Sequence, residues 1–306
     1  MEDMITGLCP QCGHTLHIPA ELASFSCMYC GARLTKEQLA AEPPAEPSAA
    51  QEADEDRAAY YDRAVSRLGW CIKNFGGYQK KIMRDVFFEA FETYETGCAP
   101  VIQELARGVA PEQQTQLLGR AATAMLDELE AGWQKKGDME DEKIVLAIFF
   151  VPMVRKQQLP ISEEFVTILQ KQWVERYPKS PFYLGDYESI SGGFRKKFLG
   201  LCFITTAVCQ ELGKPDDCEE LTAFRAFRDG YLRSQPDGEA LIREYYNIAP
   251  GIVTCINTCS DRHASYARIR EEYLAPCYQD LLAGRNESCK ARYVRMVRDL
   301  EREYLS

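Results

Sequence analysis

Apolar residues recur at helical spacing over most of the chain from residue 58 onward. Between Tyr78 and Tyr94, Ile82, Val86, Phe87, Ala90, Phe91 and Tyr94 fall on one face with charges between them, which predicts an amphipathic helix. Pro111 suits the first turn of another helix, whose stripe is Leu117, Leu118, Ala121, Met125, Leu126 and Leu129. Ser162 in PISEEF reads as a cap ahead of Glu163 and Glu164, whose charges suit the positive helix end. Asp216 with Glu219 three residues on resembles a capping box. Gly97, Gly108, Gly213 and Gly284 follow periodic runs and read as stops. The expectation is a mainly α body, residues 58–306, of about ten helices and no sheet. The acidic stretch Gly137–Glu142 divides that body into possible lobes, 58–137 and 143–306.

The first 35 residues read differently. CPQCG and CMYCG place Cys9, Cys12, Cys27 and Cys30 in two C-x2-C pairs, each closed by a glycine. A two-residue gap lets one tight turn present two thiolates, and two such turns make the four tetrahedral corners of a structural zinc ion. The alternation at Thr15, Leu16, His17 and Ile18, and the run SFSC, supply short strands of a zinc ribbon. So small a unit buries little apolar surface, and one structural Zn²⁺ would supply its folding energy. A redox role would need one such pair in a strand–helix setting, not two symmetrical ones. His14 and His17 are not needed as ligands once four cysteines fill the site.

Composition sharpens the division. The chain has 306 residues, a formal charge of −10, thirteen cysteines and three histidines. Residues 36–57, with AAEPPAEPSAAQEADED, carry seven acids against two bases and are expected to form a disordered acidic Ala/Glu/Pro linker. The body is nearly neutral, so the acid excess marks a tether and not a recognition surface. The ribbon carries Glu2, Asp3 and Glu21 against Arg33 alone. Nucleic acid is therefore not an expected partner, because phosphate neutralisation needs clustered Lys and Arg; another protein is. The longest apolar runs, Ile144–Val154 and Phe198–Cys209, fall short of the roughly 20 residues of a membrane span. With no basic, apolar leader at Met1–Thr6 and many cysteines, a cytoplasmic, reducing setting is expected.

Residues 198–257 carry a second set of motifs. They open on Cys202-Phe203-Ile204-Thr205-Thr206-Ala207, pass through Phe227-Arg228-Asp229-Gly230-Tyr231-Leu232, and continue with Leu241-Ile242, Tyr245-Tyr246 and Ile248-Ala249-Pro250. This segment resembles the CFI-box C-terminal domain family, departing from it at Val208-Cys209, where an aromatic is usual. The resemblance implies a helical module and no particular reaction. On the residues alone, Leu221, Phe224, Phe227 and Tyr231 form an apolar stripe, Asp237 can cap the helix that follows, and Arg228-Asp229 reads as part of a solvated face or a buried pair.

Two further chemistries are weighed. Cys202 is a candidate nucleophile of a cysteine-dependent hydrolase or transferase, with His263, the one histidine of the body, as its base. Its apolar neighbours argue for a protonated, inert thiol. Cys218, among Asp216, Asp217, Glu219 and Glu220, is a poor thiolate despite its place in a first helical turn. Cys255, Cys259 and His263 stand four apart and would share a helix face, as part of a second metal site or as small core residues. The loop expected at GDYESISGGF, with Tyr187, Glu188, Gly192 and Gly193, could line a pocket. G-x-S-x-G, H-E-x-x-H and dinucleotide glycine patterns are absent. The reading is an interaction or regulatory protein whose ribbon docks on a protein, with the enzyme and a thiol or metal sensor as alternatives.

Overall fold

In a computed structural model, residues 4–39, 49–195 and 202–306 are described. The chain separates into two compact units, residues 1–55 and 56–306. Residues 40–48 of the expected linker, and 196–201 at the opening of the CFI-box-like segment, lie outside the described residues.

The small unit consists of two antiparallel hairpins. Strands β1 (Met4–Leu8) and β2 (Thr15–Pro19) pair with Thr6 opposite His17; β3 (Ser24–Ser26) and β4 (Arg33–Thr35) pair with Phe25 opposite Leu34. Strand alternation turns Leu16 and Ile18 inward and His17 outward. Leu16, Ile18 and Leu34 pack with Cys9 and Cys27, and these five are the buried residues of the unit's core. A core this small needs another source of stability.

Among the described residues, the chain from Ala49 onward contains eleven helices and a single turn at Trp70–Lys73. They are α1 (Ala49–Leu68), α2 (Phe87–Gly108), α3 (Gln114–Gly132), α4 (136–156), α5 (Ser162–Arg176), α6 (Tyr187–Arg195), α7 (Phe203–Glu211), α8 (Glu219–Asp229), α9 (Gly238–Cys259), α10 (262–282) and α11 (Asn286–Tyr304). The mainly α body and its small strand-bearing N-terminus follow the periodicities of the sequence. Helix α4 is central: every residue from Ile144 to Val154 is buried. Its Phe149 meets Phe87, Phe91 and Tyr94 of α2, and Phe194 of α6 stacks on Phe87 at 4.3 Å. Both α4 and α10 contain a π-type segment, Leu146–Phe150 and Arg270–Leu274, and each ends two residues before a proline, Pro152 and Pro276. Proline lacks an N–H and clashes with the carbonyl one turn back, and the wider turn relieves both problems. Gly251 permits a close approach instead. A Cβ there would sit 1.8 Å from the Ile82 carbonyl oxygen, so α9 reaches that backbone only through glycine.

Several local expectations are corrected. The linker does not stay irregular to residue 57, since α1 begins at Ala49; its Ala, Glu and Gln are strong helix formers beyond the last proline. The helix expected from Tyr78 starts at Phe87, after a 3-10 turn at Tyr78–Lys81. Gly97 lies inside α2, whereas Gly108 ends it. The acidic stretch Gly137–Glu142 runs within α4 and does not interrupt the body. Ser162 is the first residue of α5, not a cap: its buried hydroxyl donates to the Val154 carbonyl at 2.7 Å and ties α5 to α4. Asp216 does not cap α8, which follows Cys218, but pairs with Arg225 at 2.8 Å. Asp237 stands before α9 without a capping bond and pairs with Lys290 at 2.7 Å. GDYESISGGF is not a loop, because Tyr187–Arg195 is helical, with Asp186 accepting from the Ser189 N–H at 2.8 Å.

Candidate metal centre

Each hairpin of the small unit ends in the same knuckle. The Gly13 N–H donates to the Cys9 carbonyl at 2.8 Å, and Cys9 N–H to the His14 carbonyl at 3.0 Å. In the second knuckle, Gly31 donates to Cys27 and Cys27 to Ala32, both at 2.8 Å. Gly13 and Gly31 have φ of 73° and 76°, the left-handed region that glycine adopts without strain. The two turns place the sulfurs of Cys9, Cys12, Cys27 and Cys30 within 4.8 Å of one another. Cys9 Sγ lies 3.8 Å from Cys30 Sγ, and Cys12 Sγ lies 3.7 Å from Cys27 Sγ.

Those spacings suit a metal site. A disulfide would bring two sulfurs to about 2.05 Å. A tetrahedron with metal–sulfur bonds of about 2.3 Å has edges of about 3.8 Å, so the four thiols fit around one ion. The Cys27 thiol is pushed down to about 6, chiefly by the backbone N–H of Cys30 and then by that of Tyr29. At Cys12 the backbone N–H of His14 pulls the same way, but desolvation and the three neighbouring thiols push the group up to about 12. Four thiolates at this distance repel one another, and a cation at their centre resolves the conflict. The histidines stand aside. His17 Nδ1 lies 2.9 Å from the Thr6 hydroxyl across the hairpin, and His14 stacks on Tyr29 at 4.3 Å.

The helical candidates are not assembled in this way. Cys202 is buried immediately before α7, with Arg228 Nη1 3.5 Å from its sulfur. Burial pushes its thiol up, against the pull of Arg228. His263 is exposed, with Nδ1 3.4 Å from Glu211, the last residue of α7. Nine residues of helix, about 13 Å of axis, therefore separate the thiol's end of α7 from the imidazole's. Among the described residues, no general base stands within the roughly 3 Å that proton transfer requires. The face shared by Cys255, Cys259 and His263 is also broken: α9 ends at Cys259, and Ser260 is extended. Cys255 and Cys259 are buried, with Cys255 Sγ against the Tyr304 carbonyl at 3.7 Å. Among the described residues, the four N-terminal cysteines are the one cluster able to hold a metal. The other body cysteines are core residues or near neighbours of one another, as in Cys209 and Cys218, 3.8 Å apart.

One feature was not foreseen. Within the second knuckle, Met28 and Tyr29 are 82% and 57% exposed, although both are large and apolar. Their position between Cys27 and Cys30 is the available signal, since a knuckle that turns its sulfurs inward turns the intervening side chains outward. Of the two readings of Arg228-Asp229, the structure adopts the pair: Arg228 is buried, and its Nε and Nη2 bond both oxygens of Asp229 at 2.8 and 2.6 Å.

The chain matches no family model, no curated protein and no solved structure. None of the helices among the described residues is long and apolar enough to cross a membrane.

Proposed function

We propose that the protein is a zinc-dependent interaction protein, in which one structural Zn²⁺ holds the tetracysteine ribbon and the ribbon docks on another protein. The observation that carries this reading is the four-sulfur cluster at tetrahedral spacing, with Met28 and Tyr29 projecting from the same knuckle. Leu22, 44% exposed, adds apolar surface to the same unit. A sulfur-only ligand set suits zinc, and four filled corners leave no open position for a reacting water, as in structural sites. The charge balance also supports a protein partner. Basic residues of the described ribbon are Arg33 and Lys36, against Glu21 and Glu37 and a net negative tetrathiolate centre. Such a surface does not neutralise phosphates, while exposed Met and Tyr suit the apolar centre of a protein interface.

The resemblance of residues 198–257 to the CFI-box C-terminal domain remains part of the proposal and assigns a helical module without a reaction. A reducing, cytoplasmic setting belongs to it too, since thirteen free thiols suit such a compartment.

The test has two readouts. Elemental analysis of reduced full-length protein is expected to give one zinc per chain, and a Met28→Ser/Tyr29→Ser variant to keep that zinc while losing proteins that co-purify from native cells. Metal-free reduced protein overturns the zinc assignment. Unchanged co-purification by the zinc-loaded variant overturns docking through the knuckle.

A further inference from the structure

The cysteines of the helical body differ in their access to solvent. Among the described residues of that unit, eight are buried and one, Cys218, is half-buried. Three pairs adjoin one another: Cys71 with Cys98, Cys277 with Cys289, and Cys209 with Cys218. The first two pairs are sealed, all four residues at 0% exposure. The third is open on one side. Its sulfurs lie 3.8 Å apart, with Cys209 buried and Cys218 reaching the surface.

Local structure holds this pair together. Cys209 lies in the last turn of α7, and Cys218 stands just before α8 with extended backbone, φ −59° and ψ 152°. The Lys214 N–H donates to the Cys209 carbonyl at 2.9 Å, and the Cys218 N–H to the Pro215 carbonyl at 3.1 Å, so the connection is folded before any cross-link forms. A disulfide needs about 2.05 Å between sulfurs; Cys218, outside the helix, is the side chain with room to close that gap. Its acidic neighbours are partly neutralised, since Asp216 pairs with Arg225 at 2.8 Å and Glu220 with Lys214. This removes part of the repulsion they would exert on a thiolate. Burial, and then the Cys218 sulfur, push the Cys209 thiol up to about 12. Cys209 therefore keeps its proton while Cys218 reacts.

We propose that Cys209 and Cys218 form a reversible disulfide in response to hydroperoxides, with Cys218 meeting the oxidant and Cys209 resolving the product. In the first step the Cys218 thiolate attacks the hydroxyl oxygen of the hydroperoxide. The O–O bond breaks, Cys218 becomes a sulfenic acid, and the departing alkoxide or hydroxide takes up the proton that Cys218 released. In the second step Cys209 gives up its proton and its sulfur attacks that of Cys218. The S–O bond breaks, and the hydroxide leaves with that proton as water. Two thiols thus pass two electrons to one hydroperoxide, yielding one disulfide, one alcohol or water, and one water. The cross-link ties the end of α7 to the start of α8 and involves neither the ribbon nor its metal.

The test is treatment of reduced full-length protein with a small excess of hydrogen peroxide, followed by blocking of free thiols and peptide mass mapping. Cleavage after Glu211 separates the two cysteines, so their peptides are expected to appear as one linked species, lighter than the pair by about 2 Da for the two hydrogens lost. Fragmentation is expected to place the link at Cys209 and not Cys202, and dithiothreitol to undo it. Cys71, Cys98, Cys277 and Cys289 are expected to stay reduced at the same dose. In Cys209→Ala, Cys218 is expected to stop at a sulfenic acid that dimedone captures, and in Cys218→Ser, Cys209 is expected to stay reduced. Absence of the linked species from the parent protein overturns the proposal. So does a link made through Cys202, oxidation of Cys209 in a folded Cys218→Ser protein, or equal oxidation of the sealed pairs.

Discussion

The same residue type does opposite work in the two parts of this molecule. In the ribbon, Cys9 and Cys27 are buried within a five-residue core, and their sulfurs converge with those of Cys12 and Cys30. In the helical body, cysteines such as Cys71, Cys98, Cys255 and Cys277 are fully buried among Leu, Ile and Phe. The thiol chemistry divides along the same line. Backbone N–H groups of the knuckle hold Cys27 down at about 6, whereas burial pushes Cys259 up to about 12. A cysteine's role is set by whether the backbone turns donors and other sulfurs toward it or surrounds it with hydrocarbon. On the proposed function the two regions are stabilised by different means, coordination in one and apolar burial in the other.

The sharpest way to break that comparison is to remove the metal. With a chelator, or with Cys27→Ser, the ribbon is expected to unfold, because structural zinc in small modules contributes about 10–16 kcal/mol of apparent binding free energy. The body's thermal transition is expected to stay where it was. Amide NMR would show collapse of the residue 4–39 resonances alone; loss of the helical signals as well would mean that the body too depends on the metal.

The reverse experiment acts on α4. Phe149 is fully buried against α2, and Phe149→Ala is expected to cost about 3–5 kcal/mol through lost burial and the cavity left behind. Chemical denaturation of the body would report it, and the metal content of the ribbon should not change. A Phe149→Ala protein that lost its metal would break the division.

How much of this was legible in the sequence follows the same divide. Cys9, Cys12, Cys27 and Cys30 were readable because their spacing and the closing glycines dictate a local turn, and a local turn is what makes the knuckle. The helices were readable from apolar spacing, since burial of a stripe is periodic along the chain. Their ends were less so. Ser162 has the chemistry of a cap, yet α4 lies close enough for its hydroxyl to bond Val154 instead. Gly97 reads as a stop, but it sits in α2 opposite the Phe75 ring, 3.4 Å from where a Cβ would be. Arg228 could be read as solvated or as half of a buried pair, because nothing in its own helix reveals which other helices cover that face. Cys202 and His263 were joined by residue type alone, and they stand apart, Cys202 just before α7 and His263, on α10, beside the last residue of α7. What the sequence hid was set by partners distant along the chain.

The smallest expected effect tests the local side of the comparison. Asp186 precedes α6 and accepts the Ser189 N–H at 2.8 Å and the Ser189 hydroxyl at 2.8 Å. These bonds, the backbone one foremost, hold its carboxyl below the usual range. A carboxylate whose folded pKa is depressed stabilises the fold above its unfolded value, about 3.9, and loses that contribution as pH falls through the lower folded value. Asp186→Ala is therefore expected to cost about 0.5–2 kcal/mol at neutral pH. Asp186→Asn, which keeps an acceptor without a titrating charge, should cost less and remove this residue's share of the acid-side decline. Denaturant midpoints at neutral pH and near pH 3 would separate the three proteins. If Asp186→Asn declined as steeply with acid as the parent, the α6 cap would not be a titrating one. Acid should reach the ribbon earlier than this cap, because its thiolates recapture protons as they release metal. Metal loss should therefore precede any weakening of α6 on the same acid titration.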